Sequence, residues 1–170
     1  MASEVSDDLL PGRDRPPAPG GYSFRRLRPA DLDGIGRVHT RACLLAYRFM
    51  GWSYTEDECR RWYAGKLPEW DWGRVACTAD GAVVAFIAMT GAHIDQVFVD
   101  PDHQGIGLGR TLLAAALARG LRPATLEVHA RNRPARRLYE AFGFRQVDGW
   151  WDEPDGTHKD GAVVLFYRLD

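Results

Sequence analysis

The chain has 170 residues, 45% hydrophobic and 11% aromatic, which is enough for one domain with a buried core. Its formal net charge of −1 provides no overall positive field for RNA or DNA, and no apolar run reaches the about 18 residues that cross a bilayer. The three cysteines occur without a CxxC pair or a histidine at ligand spacing. We therefore expect a cytoplasmic protein with reduced thiols, no metal, and neither nucleic acid nor membrane as a partner.

The first half of the chain predicts a tail followed by strands and helices. Residues 1–20 hold four of the ten prolines, so we expect a disordered tail ahead of a domain over 21–170. The predicted elements are a strand from Tyr22 to Arg28, a helix capped by Asp31, a helix after Thr55, and strands over 74–79 and 82–89. Asp80-Gly81 favours the tight turn of a hairpin between the last two strands.

The second half alternates strands and helices. The predicted elements are a strand over His93–Val99, an Ala/Leu-rich helix after a glycine-rich loop, a strand over Thr125–His129, a helix over Pro134–Phe142, and strands over 144–147 and 162–168. A meander followed by strand–helix–strand–helix does not fit an all-parallel doubly wound sheet. The order predicts an α/β (α+β) fold with a single mixed, mostly antiparallel sheet flanked by helices.

The glycine-rich loop is the most informative segment. Gly105, Gly107 and Gly109 stand at alternate positions between a strand and a helix. Glycine lets successive N–H groups point into one concavity, and the helix start adds partial positive charge, so the loop predicts a pyrophosphate site. A flexible turn is the alternative. The dinucleotide fingerprint fails, because its third glycine would fall at Arg110.

Gln104-x-x-Gly107-x-Gly109 resembles the Q/R-x-x-G-x-G/A signature of the GNAT superfamily of acyl-CoA N-acyltransferases. The element order is also similar to that fold, from about Tyr22 to Asp170. The resemblance implies acetyl-CoA as co-substrate, with strand backbone groups on the pantetheine arm and loop amides on the pyrophosphate. The coenzyme-binding residues that it implies are Val97, Phe98, Val99, Gln104, Gly105, Ile106, Gly107, Leu108, Gly109 and Arg110.

A second segment resembles another signature of the same superfamily. Asn132 precedes a helix that carries Tyr139 and ends at Gly143-Phe144. Asn132 is expected to cap this helix, and the resemblance implies a hydrogen bond near the pantetheine, which is compatible with capping. Tyr139 stands at the family's tyrosine position, which implies a general acid for the departing thiolate. Its alternative role is packing on the helix face.

The general base has three candidates. Glu127 alternates with apolar Leu126 and Val128, and it lies twelve residues before the tyrosine, as the base glutamate does in some ribosomal-protein acetyltransferases of this superfamily. Other members place a base glutamate on the preceding strand, where this chain has His93, with Asp95 nearby. A water relay without a single base is the remaining alternative.

Aromatic and acidic residues after the first helix and around Trp150-Trp151 are expected to border the acceptor. We predict acetyl transfer to a primary amine, with a small molecule as the expected acceptor and a peptide or protein amine as the alternative. A non-catalytic acyl-CoA sensor is the alternative from another class. A homodimer is compatible with these expectations.

Overall fold

Seven strands and four α-helices form the part of the chain that the computed structural model describes, residues 20–51, 53–147 and 163–170. The strands are β1 (Ser23–Arg26), β2 (Trp72–Cys77), β3 (Val83–Thr90), β4 (His93–Val99), β5 (Ala124–His129), β6 (Arg145–Val147) and β7 (Val164–Leu169). The helices are α1 (Leu32–Ala46), α2 (Glu56–Lys66), α3 (Leu108–Leu117) and α4 (Arg133–Ala141). None of these helices combines the length and apolar character needed to cross a membrane.

The strands form one mixed sheet in the order β1-β2-β3-β4-β5-β7-β6. Strands β1 to β4 pair as an antiparallel meander, β4 and β5 pair in parallel, and β5, β7 and β6 pair antiparallel. The predicted fold class, a single mixed and mostly antiparallel sheet flanked by helices, is confirmed.

Helices cover both faces of this sheet, and β3 shows the consequence. Every residue over 83–89 is buried, with Phe86 in the core beneath α1 and α2, and Ile87 in the core beneath α3 and α4. A strand buried on both faces is apolar throughout rather than alternating. Each large apolar side chain that is fully buried contributes roughly 1.5–3 kcal/mol to stability.

The two N-terminal helices begin differently from each other. Thr55 and Glu58 form a reciprocal capping box at the start of α2, with Glu58 N donating to Thr55 Oγ1 over 3.2 Å. Asp31 occupies the N-cap position of α1, but the prediction that it caps the helix is wrong, because its side chain makes no hydrogen bond to the helix amides. Asp31 instead accepts from Nη2 and Nη1 of Arg25, at 2.7 and 2.8 Å, and from the Arg28 backbone N–H.

Most predicted boundaries lie within about two residues of the observed ones. The hairpin turn is confirmed, with Thr78 N donating to Ala82 O over 3.0 Å and Gly81 at φ +87°. The predicted tail at 1–20 lies outside the described residues except for Gly20, so it stays a prediction.

Helix α1 packs on β3 so closely that one glycine has no room for a side chain. A Cβ on Gly34 would lie 2.8 Å from Val83 Cβ, whereas a Cβ on Gly65 in α2 would meet nothing within 4 Å. We expect Gly34→Ala to lower the free energy of unfolding by roughly 1–3 kcal/mol through this overlap. Gly65→Ala, the matched control, should raise it by up to about 1 kcal/mol through helix propensity. Urea denaturation measures both, and equal stability of the two variants would contradict the close packing.

Candidate active site

A cleft of about 910 Å³ opens where β4 and β5 part. These strands pair only at His93–Thr125 and Ile94–Leu126, and beyond Leu126 they diverge. The cleft is lined by both strands, the inner side of α1, the loop after β4, and the beginnings of α3 and α4.

A β-bulge in β4 accompanies the divergence. On β3, Ala88 pairs with Gln96 and Met89 pairs with Ile94, so Asp95 is the extra residue. A bulge bends its strand and strengthens the local twist, which carries the rest of β4 away from β5.

The end of β4 therefore has one edge without a strand partner among the described residues. Val97, Phe98 and Val99 pair with β3 on one side, and on the other side they line the cleft. Val99 O accepts from Gln104 Nε2, and the backbone groups on this edge that have no protein partner need a ligand or water. The three residues predicted to bind the pantetheine arm thus lie where an extended chain can run beside them.

The glycine-rich loop borders one end of the cleft. Gly105 and Gly107 have φ of +79° and +95°, in the left-handed region that favours glycine, and α3 begins directly afterwards. The first amides of a helix lack intrahelical acceptors, so this turn directs N–H groups toward an anion. Gly109 has an ordinary φ, and a Cβ there would lie 3.5 Å from Val99 Cγ2, an ordinary contact. Alanine would therefore fit at position 109.

The side chains of the loop make different kinds of contact. Gln104 Nε2 donates to Val99 O over 3.0 Å and so fastens the loop to the end of β4. Leu108 points into the core, which leaves only its backbone for a ligand, and Ile106 is exposed. The Arg110 guanidinium lies 5.4 Å from the centre of the Phe142 ring and also lines the cleft.

Arg41 on α1 holds the loop from the opposite side, and sequence reasoning missed it. Its Nε lies 2.9 Å from Asp100 Oδ2, and its Nη2 lies 2.6 Å from Asp102 Oδ2. The single positive charge of Arg41 is shared by two carboxylates that stand directly before the glycine-rich turn. No local pattern indicated it, because the partners are about 60 residues apart in the chain.

Asn132 performs the predicted capping role and has a second contact. Its Oδ1 accepts from Ala135 N over 3.3 Å, and its Nδ2 donates to the Tyr47 hydroxyl over 3.1 Å. Burial raises the pKa of Tyr47 to about 12. The contact links the end of α1 to the beginning of α4 across the cleft.

The three predicted catalytic residues all line this one cleft. Tyr139 is 7% exposed, packs edge-on against Phe144, and makes no hydroxyl hydrogen bond to another described residue. Burial, with a smaller contribution from Tyr47, raises its pKa above the usual phenol value. Burial and then the Asp95 charge raise the pKa of Glu127. His93 is held by a 2.9 Å contact between its Nδ1 and Thr125 Oγ1.

Only part of the predicted aromatic border contributes to the cleft. Tyr47 lines it, whereas Tyr63 is fully buried beneath it, contacts His39 and donates to Gln96 Oε1 over 3.1 Å. Burial lowers the pKa of His39 to about 4, which keeps this ring neutral. Tyr54 and Trp62 are exposed, and Trp52, Trp150 and Trp151 lie outside the described residues.

Sequence reasoning missed His39 and His129, which line the cleft from α1 and β5.

The sequence profile of the acetyltransferase (GNAT) family matches residues 41–144, more than half of the chain and the whole of the cleft's loop and strands. The chain belongs to the GNAT acetyltransferase family. Members use acetyl-CoA as the acyl donor and need no metal, so this protein is an acetyl-CoA-dependent N-acetyltransferase. The alternative of a non-catalytic sensor is accordingly not retained.

Relatives of this GNAT enzyme differ in the acceptors that their names state. A mycothiol acetyltransferase of Thermomonospora curvata is 41% identical over 91% of this chain, which spans 54% of that protein. The peptidyl-lysine N-acetyltransferase YjaB of Escherichia coli is 30% identical over 72% of this chain and 82% of its own length. The solution structure of apo YjaB superposes with a TM-score of 0.68 at 25% identity, over 87% of this chain and 97% of that one. An uncharacterized N-acetyltransferase of Methanocaldococcus jannaschii is 31% identical over 76% of this chain, which spans 64% of it.

Gly107→Val tests the anion-binding turn of this GNAT enzyme. A β-branched side chain at φ +95° is strained and blocks close approach to the loop amides, so we expect the Kd for acetyl-CoA to rise on the order of 10-fold or more. Gly81→Val is the matched control, because it imposes the same backbone strain at φ +87° on a turn away from the cleft. Both variants should lose similar thermal stability, and only Gly107→Val should lose affinity in calorimetric titration. Equal affinity in the two folded variants would mean that the loop glycines serve the turn alone.

Proposed function

We propose that this enzyme transfers the acetyl group directly from acetyl-CoA to the primary amine of a small molecule, with Tyr139 as the general acid. The observation that carries this proposal is the convergence of Tyr139, Glu127 and His93 on the cleft between β4 and β5. The loop amides and the free β4 edge accept the coenzyme from one side. The acceptor then enters between α1 and the faces of β4 and β5.

The partial burial of Glu127, the proposed base, supports a small-molecule acceptor. Glu127 is half-buried, and His39 and Tyr47 of α1 line the same cleft. This partial cover favours an acceptor whose amine stands on a slender group. The 41% identity to a mycothiol acetyltransferase over most of the chain also supports a small-molecule amine. A lysine side chain of a protein is the second candidate, and the similarity to a peptidyl-lysine acetyltransferase favours it.

The pKa of the proposed acid must lie near the pKa of the thiol that it protonates. The unperturbed pKa of a phenol, about 10, lies near that of an alkyl thiol. Burial raises the pKa of Tyr139, and the same desolvation disfavours a thiolate in the same cleft. The phenol and the leaving thiol are therefore shifted in the same direction, so proton transfer between them stays feasible.

Glu127 is the preferred base in this proposal. An ordinary carboxylate is a weak base at neutral pH, and the raised pKa of Glu127 brings it closer to the operating range. His93 is the alternative, because its Nδ1 is held by Thr125 while its ring faces Phe166 and the cleft.

Tyr139→Phe keeps the ring that packs against Phe144 and removes only the hydroxyl. We expect acetyl-CoA affinity and melting temperature near those of the wild type, and kcat lower by part of the roughly 10²–10⁴-fold that a positioned acid supplies. Because its pKa is raised, the phenol stays protonated at neutral and mildly alkaline pH, so Tyr139 should give the wild type no alkaline limb below about pH 10. Turnover and melting temperature measured on one preparation decide the role. Wild-type turnover in this variant would leave solvent as the acid.

A panel of acceptors tests the substrate class. Purified enzyme with acetyl-CoA is offered polyamines, amino sugars and amino-acid amides, and in parallel lysine peptides, with release of the coenzyme A thiol as the signal. We expect kcat/KM for the best small amine to exceed that for the best peptide by at least about 10-fold, a difference of about 1.4 kcal/mol. A peptide preference of that size would replace the small-molecule proposal with the protein-lysine candidate.

A further inference from the structure

Helix α4 carries Tyr139, yet few apolar side chains hold this helix to the core. Among its nine described residues only Tyr139 is buried, whereas α3 buries five of its ten. Ala135 and Leu138 of α4 are half-buried against the same core. A helix of nine residues is too short to be stable alone, so contacts with the rest of the fold must fix its position.

A polar contact with β7 supplies part of this attachment. The Tyr167 hydroxyl lies between two side chains that are one turn apart on α4. It accepts from Arg136 Nε over 3.0 Å and donates to Glu140 Oε1 over 2.8 Å. Arg136 Nη1 also donates to Ala130 O over 3.1 Å, in the turn that joins β5 to α4. One phenol hydroxyl therefore holds the helix at two points, and one guanidinium joins the helix to the turn before it.

Tyr167 is itself firmly fixed in the sheet. Its side chain is 1% exposed within the core beneath α3 and α4, and its backbone pairs with Leu126 of β5, a strand that borders the cleft. Burial raises the pKa of Tyr167, against an opposing effect of the Arg136 hydrogen bond. The hydroxyl therefore keeps, at neutral pH, the proton that it donates to Glu140. The ring is a rigid link between the strands of the cleft and α4.

We propose that Tyr167 is a positioning residue of this enzyme, which fixes α4 through Arg136 and Glu140 so that the Tyr139 hydroxyl keeps its place in the cleft. Tyr139 lies between those two residues along the helix. The role rests on the proposed function in one respect, the assignment of Tyr139 as the acid. Tyr167 is not among the residues that line the cleft. A displacement of about 1 Å at a reacting group costs on the order of 100-fold in rate, so a contact outside the cleft is able to control turnover.

Tyr167→Phe keeps the buried ring and removes only the hydroxyl. We expect the Kd for acetyl-CoA to stay near that of the wild type and kcat to fall on the order of 10- to 100-fold, because the helix loses both contacts with β7. A role in stability alone would lower the melting temperature and leave kcat per folded molecule unchanged. Turnover of the folded variant, measured well below its melting temperature, separates the two roles. Unchanged kcat would overturn the proposal.

A double-mutant cycle tests whether Tyr167 acts through Tyr139. In the Tyr139→Phe background the hydroxyl to be positioned is absent, so Tyr167→Phe should have little further effect on kcat. An equal loss in both backgrounds would overturn the proposal, because it would show that Tyr167 acts through another group.

A spectroscopic measurement distinguishes failure of this role from failure of the acid assignment. Protein labelled with fluorotyrosine reports the surroundings of the Tyr139 ring by fluorine NMR, and this signal needs no turnover. Tyr167→Phe should shift or broaden it. Tyr22→Phe, the matched control, should leave it unchanged, because the Tyr22 hydroxyl contacts His103 rather than α4. An unmoved signal in Tyr167→Phe would overturn the positioning role even if Tyr139 is the acid. A moved signal, with wild-type turnover in Tyr139→Phe, would refute the acid and leave Tyr167 as the residue that fixes α4.

If Tyr167→Phe does not fold, Glu140 supplies the test, because this residue is exposed on α4. Glu140→Ala removes the acceptor of the Tyr167 hydroxyl, whereas Glu140→Gln keeps an oxygen for it. We expect Glu140→Ala to lower kcat by about 5-fold or more, and Glu140→Gln to retain most of the wild-type kcat. Wild-type kcat in Glu140→Ala would overturn the proposal.

Discussion

Backbone groups inside a sheet are normally bonded on both edges, and the last residues of β4 in this enzyme break that rule. Two residue pairs join β4 to β5, and beyond them the strands separate. The separation produces an extended, unpaired edge in the middle of the molecule rather than at its rim, where it is shielded by helices on both faces. The glycine-rich turn follows the end of this edge, and Asp95 precedes its beginning.

The two ends of the cleft differ in electrostatic character. At one end, backbone N–H groups and the helix start favour an anion, and Arg41 offsets part of the negative charge of the two aspartates beside them. At the other end, the carboxylates of Asp95 and Glu127 line the cleft. Tyr139 of α4 lines the same cleft.

The sequence predicted the elements and the glycine-rich turn before α3 well because both depend on local chemistry. Helical spacing, the start of a helix after Thr55, the Asp-Gly turn and three glycines before a helix are effects of neighbours in the chain. What the sequence did not reveal depends on distant contacts. The Tyr47–Asn132 hydrogen bond joins residues 85 positions apart, and the Arg41 ion pairs span a similar distance. The β4 bulge is a mismatch between two strands, and a single strand carries no sign of it. Asp31 is a different case, because an arginine close in the chain outcompetes the helix amides for its carboxylate.

The short contact between β4 and β5 also has a mechanical consequence. Within the described residues it divides the sheet into a four-stranded part and a three-stranded part that share two residue pairs. The core beneath α3 and α4 and the Tyr47–Asn132 hydrogen bond also connect the two parts. Bending stiffness along that line is therefore lower than elsewhere in the sheet, since few hydrogen bonds resist it. With the coenzyme placed as proposed, a pantetheine arm in the gap would act as a removable strut between the two parts. The donor substrate would then contribute to the enzyme's rigidity for as long as it stays bound, and that contribution would end when the product coenzyme leaves.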